Sequence, residues 1–288
     1  MSKEEIQNLA SKIEKLESKI DDLHALAGPN ATYLGNNQLL TQTLHGTKYI
    51  IYADDLISTP NMVVYRQWEA ELSSLMYKFL NKDSFFIDVG ANFGYFTCLA
   101  GTIIGGSGEG RVLSVEPNPR MLELIRKNVR INWGMSSIDI IEGALDKERR
   151  SVQMAFPVQL SANATLADVD WQGDEVVRTE IDCFVLDDLL SDDERRKVDF
   201  IKIDVEGFEY NVLQGMHKLI NLNKNIKVVF EWSASQLKDA KVNIDEFLAF
   251  LKENFEYVYL LENGLTAIKF EDLEGEYYKE IVLANSPL

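Results

Sequence analysis

From Tyr49 onward the chain alternates short apolar runs with amphipathic stretches. The runs Tyr49–Tyr52, Phe85–Val89, Arg111–Glu116, Ile138–Glu142, Phe200–Asp204, Ile226–Glu231, Tyr257–Leu261 and Ile281–Ala284 predict strands. Helical periodicity over Met62–Leu80, Tyr95–Ile104, Pro119–Asn132, Glu209–Ile220 and Ile244–Glu253 fills most of the gaps. Near-continuous apolar strands separated by amphipathic helices predict a doubly wound α/β domain, with a parallel sheet covered on both faces. Glu262-Asn263-Gly264, between two apolar runs, carries the signal of a tight hairpin and so an antiparallel feature. Ser151 to Lys197 fits the repeat least and is expected to be an insertion lining a substrate pocket.

The first segment follows a different period. Ile6, Leu9, Ile13, Leu16, Ile20 and Leu23 alternate spacings of three and four, with Ile at every a position and Leu at every d position. Lys12 can pair with Glu17 of a second helix, so a parallel dimeric coiled coil is expected, ended by Gly28-Pro29. His24, at an e position, reads as part of that arm, and His217 as a structural helix residue.

Composition narrows the partners. The 288 residues carry 29 Lys+Arg against 46 Asp+Glu, a net charge of −17, which disfavours nucleic acid and anionic lipid. Cys98 and Cys183 are the only thiols, too few for a disulfide framework or a four-cysteine metal site. Both read as reduced core residues. With no secretory h-region and no apolar run long enough to span a bilayer, a cytoplasmic location is expected. Asn163-Ala164-Thr165 matches a glycosylation sequon only in form.

Four strand ends carry the chemistry. Phe85 to Phe96 reads as a buried strand, a turn with Gly90 and Gly94, and a helix, the arrangement that brings backbone N–H groups to a nucleotide-like ligand. Asn92 and the Gly90-x-x-x-Gly94 spacing depart from the dinucleotide fingerprint. Asp88, just before the turn, would repel a pyrophosphate and suits a cationic amino-acid moiety. Arg111–Glu116 ends in a carboxylate about 20 residues beyond the turn, where an acid binds ribose hydroxyls. Lys202-Ile203-Asp204-Val205-Glu206 and Phe230-Glu231-Trp232 bring acids to two further strand ends, where base chemistry or metal binding is expected. Lys202 should lie deeper on the face of Asp204 and orient a carboxylate. An alternative makes Asp204 and Glu231 ligands of a divalent cation.

The run from Phe85 to Trp232 resembles the FkbM family of S-adenosylmethionine-dependent methyltransferases, most specifically in Lys202-Ile-Asp-Val-Glu-Gly-Phe-Glu209. Tyr33-Leu-Gly-Asn-Asn37, Asp55-Leu-Ile-Ser-Thr-Pro60 and Trp68-Glu69 are similar to the lead-in of members associated with glycan assembly. The resemblance implies a seven-stranded class I methyltransferase sheet, preceded here by the coiled-coil helix. The expected layout is an oligomerisation helix over 1–28, a lead-in and substrate cap over 29–83, and the methyltransferase domain over 84–288.

The same resemblance implies that Asp88 and the Gly90–Gly94 turn hold the methionine end, with Asn92 and Tyr95 in that set. It implies Glu116 and Pro117 at the ribose, Asn118 near the adenine, and Glu142 or Ala144 at the adenine edge. Asp204, Glu206 or Glu231 would serve as base, with Lys202 beside them, and His45, Trp68 and Trp232 are candidate substrate contacts. The implied reaction is O-methylation of a saccharide or glycan precursor. A small natural-product hydroxyl, a nicotinamide-linked oxidoreductase and a non-catalytic dimeric scaffold are the alternatives.

Overall fold

The computed structural model describes residues 12, 13, 19, 30–160, 176–275 and 278–288. Lys12, Ile13 and Lys19 are helical and exposed, but the heptad seam as a whole, His24, the expected dimer and the formal sequon lie outside the described residues.

Strands β1 (Ala31–Gly35), β2 (Gln38–Gln42) and β3 (Lys48–Tyr52) form an antiparallel meander. The main sheet takes β4 (Phe85–Val89), β5 (Arg111–Glu116) and β6 (Ser137–Glu142). A small second sheet takes β7 (Ala144–Leu145), β8 (Arg150–Pro157) and β9 (Val176–Phe184). The main sheet resumes with β10 (Val198–Ile203), β11 (Lys227–Ser233), β12 (Tyr257–Leu261), β13 (Leu265–Ile268) and β14 (Tyr278–Ala284). Its order is β13-β12-β14-β11-β10-β4-β5-β6. Strands β11, β10, β4, β5 and β6 are parallel, while β14 runs antiparallel to both β11 and β12.

This is the Rossmann-like sheet expected, with one strand more than the seven predicted. The extra strand is β13, the return arm of the Asn263-Gly264 hairpin, which pairs antiparallel with β12. Strand alternation divides the core into two layers. Phe85, Ile87, Ile201, Ile203, Phe230 and Trp232 pack beneath the helices Glu209–Gln214 and Ile244–Asn254. Phe86, Val112, Phe200 and Val229 pack beneath Ala70–Phe79 and Tyr95–Ile104, joined there by Tyr49–Tyr52 of the meander.

Two predicted helices are each broken in two. Instead of one helix over Met62–Leu80, helices run over Ser58–Val64 and Ala70–Phe79, because Arg66 and Glu69 sit at φ of 58° and 39°. A helix cannot pass through left-handed residues. The second break separates Glu209–Gln214 from His217–Leu222 at Gly215. A Cβ on Gly215 would lie 2.3 Å from the Asp146 carbonyl oxygen, so the chain needs glycine where it crosses the small sheet's connection. The expected insertion is that sheet: β9 pairs parallel with β7 and antiparallel with β8.

Candidate active site

Open α/β sheets bind ligands beyond the carboxyl ends of their strands at the point where the strand order reverses. Here that point lies between β4 and β10. A cleft of about 840 Å³ opens there, walled by Gly90, Ala91, Asn92 and Tyr95 after β4, and by Glu116 and Pro117 after β5. Gly143, Ala144, Leu145 and Met154 come from the small sheet, and Lys202, Asp204, Glu206 and Phe208 from the end of β10. Trp68, turned inward by the break between the lead-in helices, completes it and meets Phe93 edge to face at 6.3 Å.

The turn after β4 has no room for a side chain at its first residue. Gly90 has φ of 76°, and a Cβ would lie 1.8 Å from the Asp204 carbonyl oxygen. The turn is therefore seated directly on the end of β10. Lys202 adds a second tie: its ammonium donates to Gly90 O at 3.1 Å and to Asp204 Oδ2 at 2.9 Å. Burial works against that charge, but Asp204 and Asp88 hold the Lys202 pKa above the ordinary lysine value.

Asp88 faces Lys202 across the β4–β10 register, 4.0 Å from its ammonium, and its Oδ2 accepts from the Thr97 hydroxyl at 2.6 Å. It is 0% exposed beneath the helix Tyr95–Ile104 and does not wall the cleft. Burial raises its pKa, opposed by Lys202 and Thr97. The structure thus makes Asp88 a support for Lys202 rather than a direct contact, because alternation along β4 turns it under the helix.

Glu116 walls the cleft as expected. Its Oε2 accepts from the Asn92 N–H at 2.7 Å and its Oε1 from the Asn118 N–H at 2.8 Å, so the acid also shapes the turn. Burial pushes its pKa up to about 7 against those two donors. Each oxygen keeps further lone-pair capacity for a hydroxyl.

Beyond Asp204 lies a side pocket of about 230 Å³ lined by Glu69, Leu72, Lys202, Asp204, Glu231 and Glu280. Glu231 and Glu280 stand directly opposite each other on β11 and β14. Glu69 and Glu280 lie close enough to couple, and burial raises both pKa values. Glu206, at φ of 55°, accepts from Gln236 Nε2 and is raised by burial and by the Asp204 and Glu231 charges. Glu209 holds the loop, with Oε1 accepting from Val205 N–H at 3.1 Å and Gly207 N–H at 3.2 Å. Among the described residues no group of three or more His, Cys, Asp or Glu side chains is arranged to hold a metal ion.

The structure therefore brings Gly90, Asn92, Tyr95, Glu116, Pro117, Ala144, Trp68, Lys202, Asp204 and Glu206 to one cleft, with Glu231 in the adjoining pocket. Other expected residues are placed elsewhere. Gly94 caps the helix Tyr95–Ile104 and packs on Ile125. Asn118 caps the helix Pro119–Ile131 by accepting from Arg120 N–H, and Glu142 pairs with Arg126 at the surface. His45 lies against Tyr77, and burial lowers its pKa. Trp232 is 1% exposed and stacks on Phe247 on the opposite face of the sheet from Glu231, so it is a core residue rather than a substrate contact. Glu280, Gln236 and Met154 were not singled out by sequence, and Glu69 was noted only within the Trp68-Glu69 pair.

The model of the methyltransferase FkbM domain matches residues 88–259. The chain belongs to the FkbM methyltransferase family. That span holds the turn, Glu116, the Lys202–Glu209 run and Glu231, and it leaves the nicotinamide reading without support. Similar proteins include Methyltransferase 1 of Beauveria bassiana, 27% identical over 150 residues, 46% of this chain and 59% of the relative. Another is the hexuronic acid methyltransferase AglP of Haloferax volcanii, 27% identical over 157 residues, 51% of this chain and 56% of the relative. The chain thus spans little more than half the length of these two relatives. Among solved structures, M. jannaschii TYW2 in complex with AdoMet is similar at a TM-score of 0.46 and 11% identity, over 88% of this chain and 86% of that one.

Proposed function

We propose that this protein transfers a methyl group from S-adenosylmethionine to an uncharged hydroxyl-bearing acceptor, a saccharide or glycan precursor. The observation that carries the reading is Asp204, which stands in the wall shared by the cleft and the side pocket and is ion-paired to Lys202. The cleft suits the cofactor in its lining: its acceptors and apolar walls match a ribose and a flat base. In this reading Glu116 accepts from the ribose hydroxyls, Gly143 and Ala144 flank the base, and the turn from Gly90 to Asn92 receives the methionine end.

The cofactor supplies a methyl group on a sulfonium, already activated for transfer, so the protein's task is placement and proton removal. Asp204 would take the hydroxyl proton, oriented by Lys202. Trp68 would stack on the acceptor ring. Among the described residues the cation lining the side pocket is Lys202, already paired with Asp204, so an anionic acceptor would find no free counter-charge there. That favours a neutral acceptor over a uronate.

The test is mass spectrometry of reactions with a panel of neutral and uronic saccharides plus the cofactor. A mass gain of one methylene unit on a neutral member, lost in Asp204→Asn, is the expected result. Methylation confined to uronates would reverse the acceptor assignment, and no methylation of any hydroxyl compound would remove the O-methyltransferase reading. The coiled-coil dimer and the cytoplasmic location belong to this proposal as well. Among the described residues no helix is long and apolar enough to cross a membrane. Sedimentation of the full chain and of a chain lacking residues 1–28 tests the dimer.

A further inference from the structure

Arg120 joins three segments that the cleft needs in register. Its main chain is fixed first: Glu116 accepts from Asn118 N–H, and the Asn118 side chain accepts from Arg120 N–H at 3.0 Å. From that position, one residue into the helix Pro119–Ile131, the guanidinium donates through one nitrogen to the Val158 carbonyl and through another to Asp54 Oδ1. Its central carbon stands 4.0 Å from the centre of the Tyr52 ring, and the Tyr52 hydroxyl donates to Glu123 Oε2 of the same helix at 3.1 Å. A second tie lies alongside, where Leu56 N–H donates to Gln159 O at 2.8 Å.

Val158 follows β8 directly, four residues beyond Met154, whose side chain walls the cleft. The small sheet is joined to the body at its other end through β7, which continues the chain from β6. Without a distal tie, the wall carrying Met154 would be held from one end only. A planar, forked cation reaches a carbonyl and a carboxylate at once while standing over an aromatic ring, and lysine does not reproduce that geometry.

We propose that Arg120 is a positioning residue that sets the Met154 wall against Glu116 and thereby couples cofactor binding to the register of β8 and the lead-in loop at residues 53–57. The coupling rests on the cofactor reading above, whereas the tie itself does not. Coupling of this kind is reciprocal: a ligand gripped between Glu116 and Met154 tightens the Arg120 contacts, and loss of those contacts weakens the ligand.

Hydrogen exchange by mass spectrometry on the full chain, with and without S-adenosylhomocysteine, tests both parts, alongside calorimetry and thermal melting. In the wild type the ligand slows exchange over residues 53–58 and 152–159. In Arg120→Met the empty protein exchanges faster over both stretches, saturating ligand gives no added protection at 152–159, and Kd rises about tenfold while kcat stays within about twofold. Arg120→Lys recovers part of the loss, and Asp54→Asn combined with Arg120→Met adds nothing beyond the single change. Wild-type exchange and Kd in Arg120→Met would overturn the proposal, as would faster exchange with ligand protection intact. A wild type that gives no heat with S-adenosylhomocysteine would defeat the cofactor reading, and the exchange difference between the two empty proteins would still decide the tie.

Discussion

The two halves of the cleft are built in opposite ways. On the cofactor side, Glu116 is held by two backbone N–H groups from its own neighbourhood in the fold, and the turn at Gly90 is wedged against β10. In the side pocket, proposed to receive the acceptor, Glu69, Asp204, Glu231 and Glu280 arrive from the break between the lead-in helices and from three strand segments, with Lys202 the one cation lining it among the described residues. The first half is preorganised by main chain and should bind. The second holds more acid than its local charge balances, and should change protonation as acceptor enters.

Substitutions can separate the halves. The largest effect is expected from Asp204→Asn, which keeps the shape and removes the base: kcat should fall about 10²- to 10⁴-fold with cofactor affinity nearly unchanged. An equal loss of both would merge the two halves into one. Glu116→Ala should do the reverse, raising the cofactor Kd by about 10- to 100-fold while kcat at saturation changes little, because it removes charged hydrogen bonds and strands two N–H donors. Trp68→Ala should raise the acceptor KM by about 3- to 10-fold without altering cofactor binding, as loss of ring stacking predicts.

The smallest effect is in pH. Burial raises the Glu116 and Glu209 pKa values from the ordinary 4.5 to about 7, so between those limits the folded chain binds more protons than the unfolded one. Stability of the cofactor-free protein should therefore fall as pH rises across that window. Cofactor affinity should move the other way, rising as Glu116 ionises through about pH 7; Glu116→Gln should flatten the affinity trend and weaken the stability trend, the Glu209 part of which remains. Thermal melts and calorimetry at several pH values check the pair.

The same contrast governs what the sequence could reveal. The turn at Gly90–Asn92, Glu116 and the Lys202–Glu209 run are each local in sequence, and each falls at the end of an apolar strand, so their placement was legible. Asp88 was expected to touch ligand because nothing local marks which face of β4 the helix covers. Glu280 was invisible because its partner Glu231 is set by the antiparallel register of β14, a pairing with no signature in either segment alone. The inward turn of Trp68 depends on left-handed backbone at Arg66 and Glu69, residue types that carry no turn signal, and so a single helix was predicted there. Trp232 sits next to an acid in sequence, but one residue along a strand is the opposite face of the sheet.

Titration of S-adenosylhomocysteine into the wild type, Glu116→Ala and Asp204→Asn tests the division of labour most directly. Binding to the wild type that is retained within about threefold in Asp204→Asn and weakened at least about tenfold in Glu116→Ala is the predicted result. Equal binding by the wild type and Glu116→Ala, or no binding by the wild type, would contradict it.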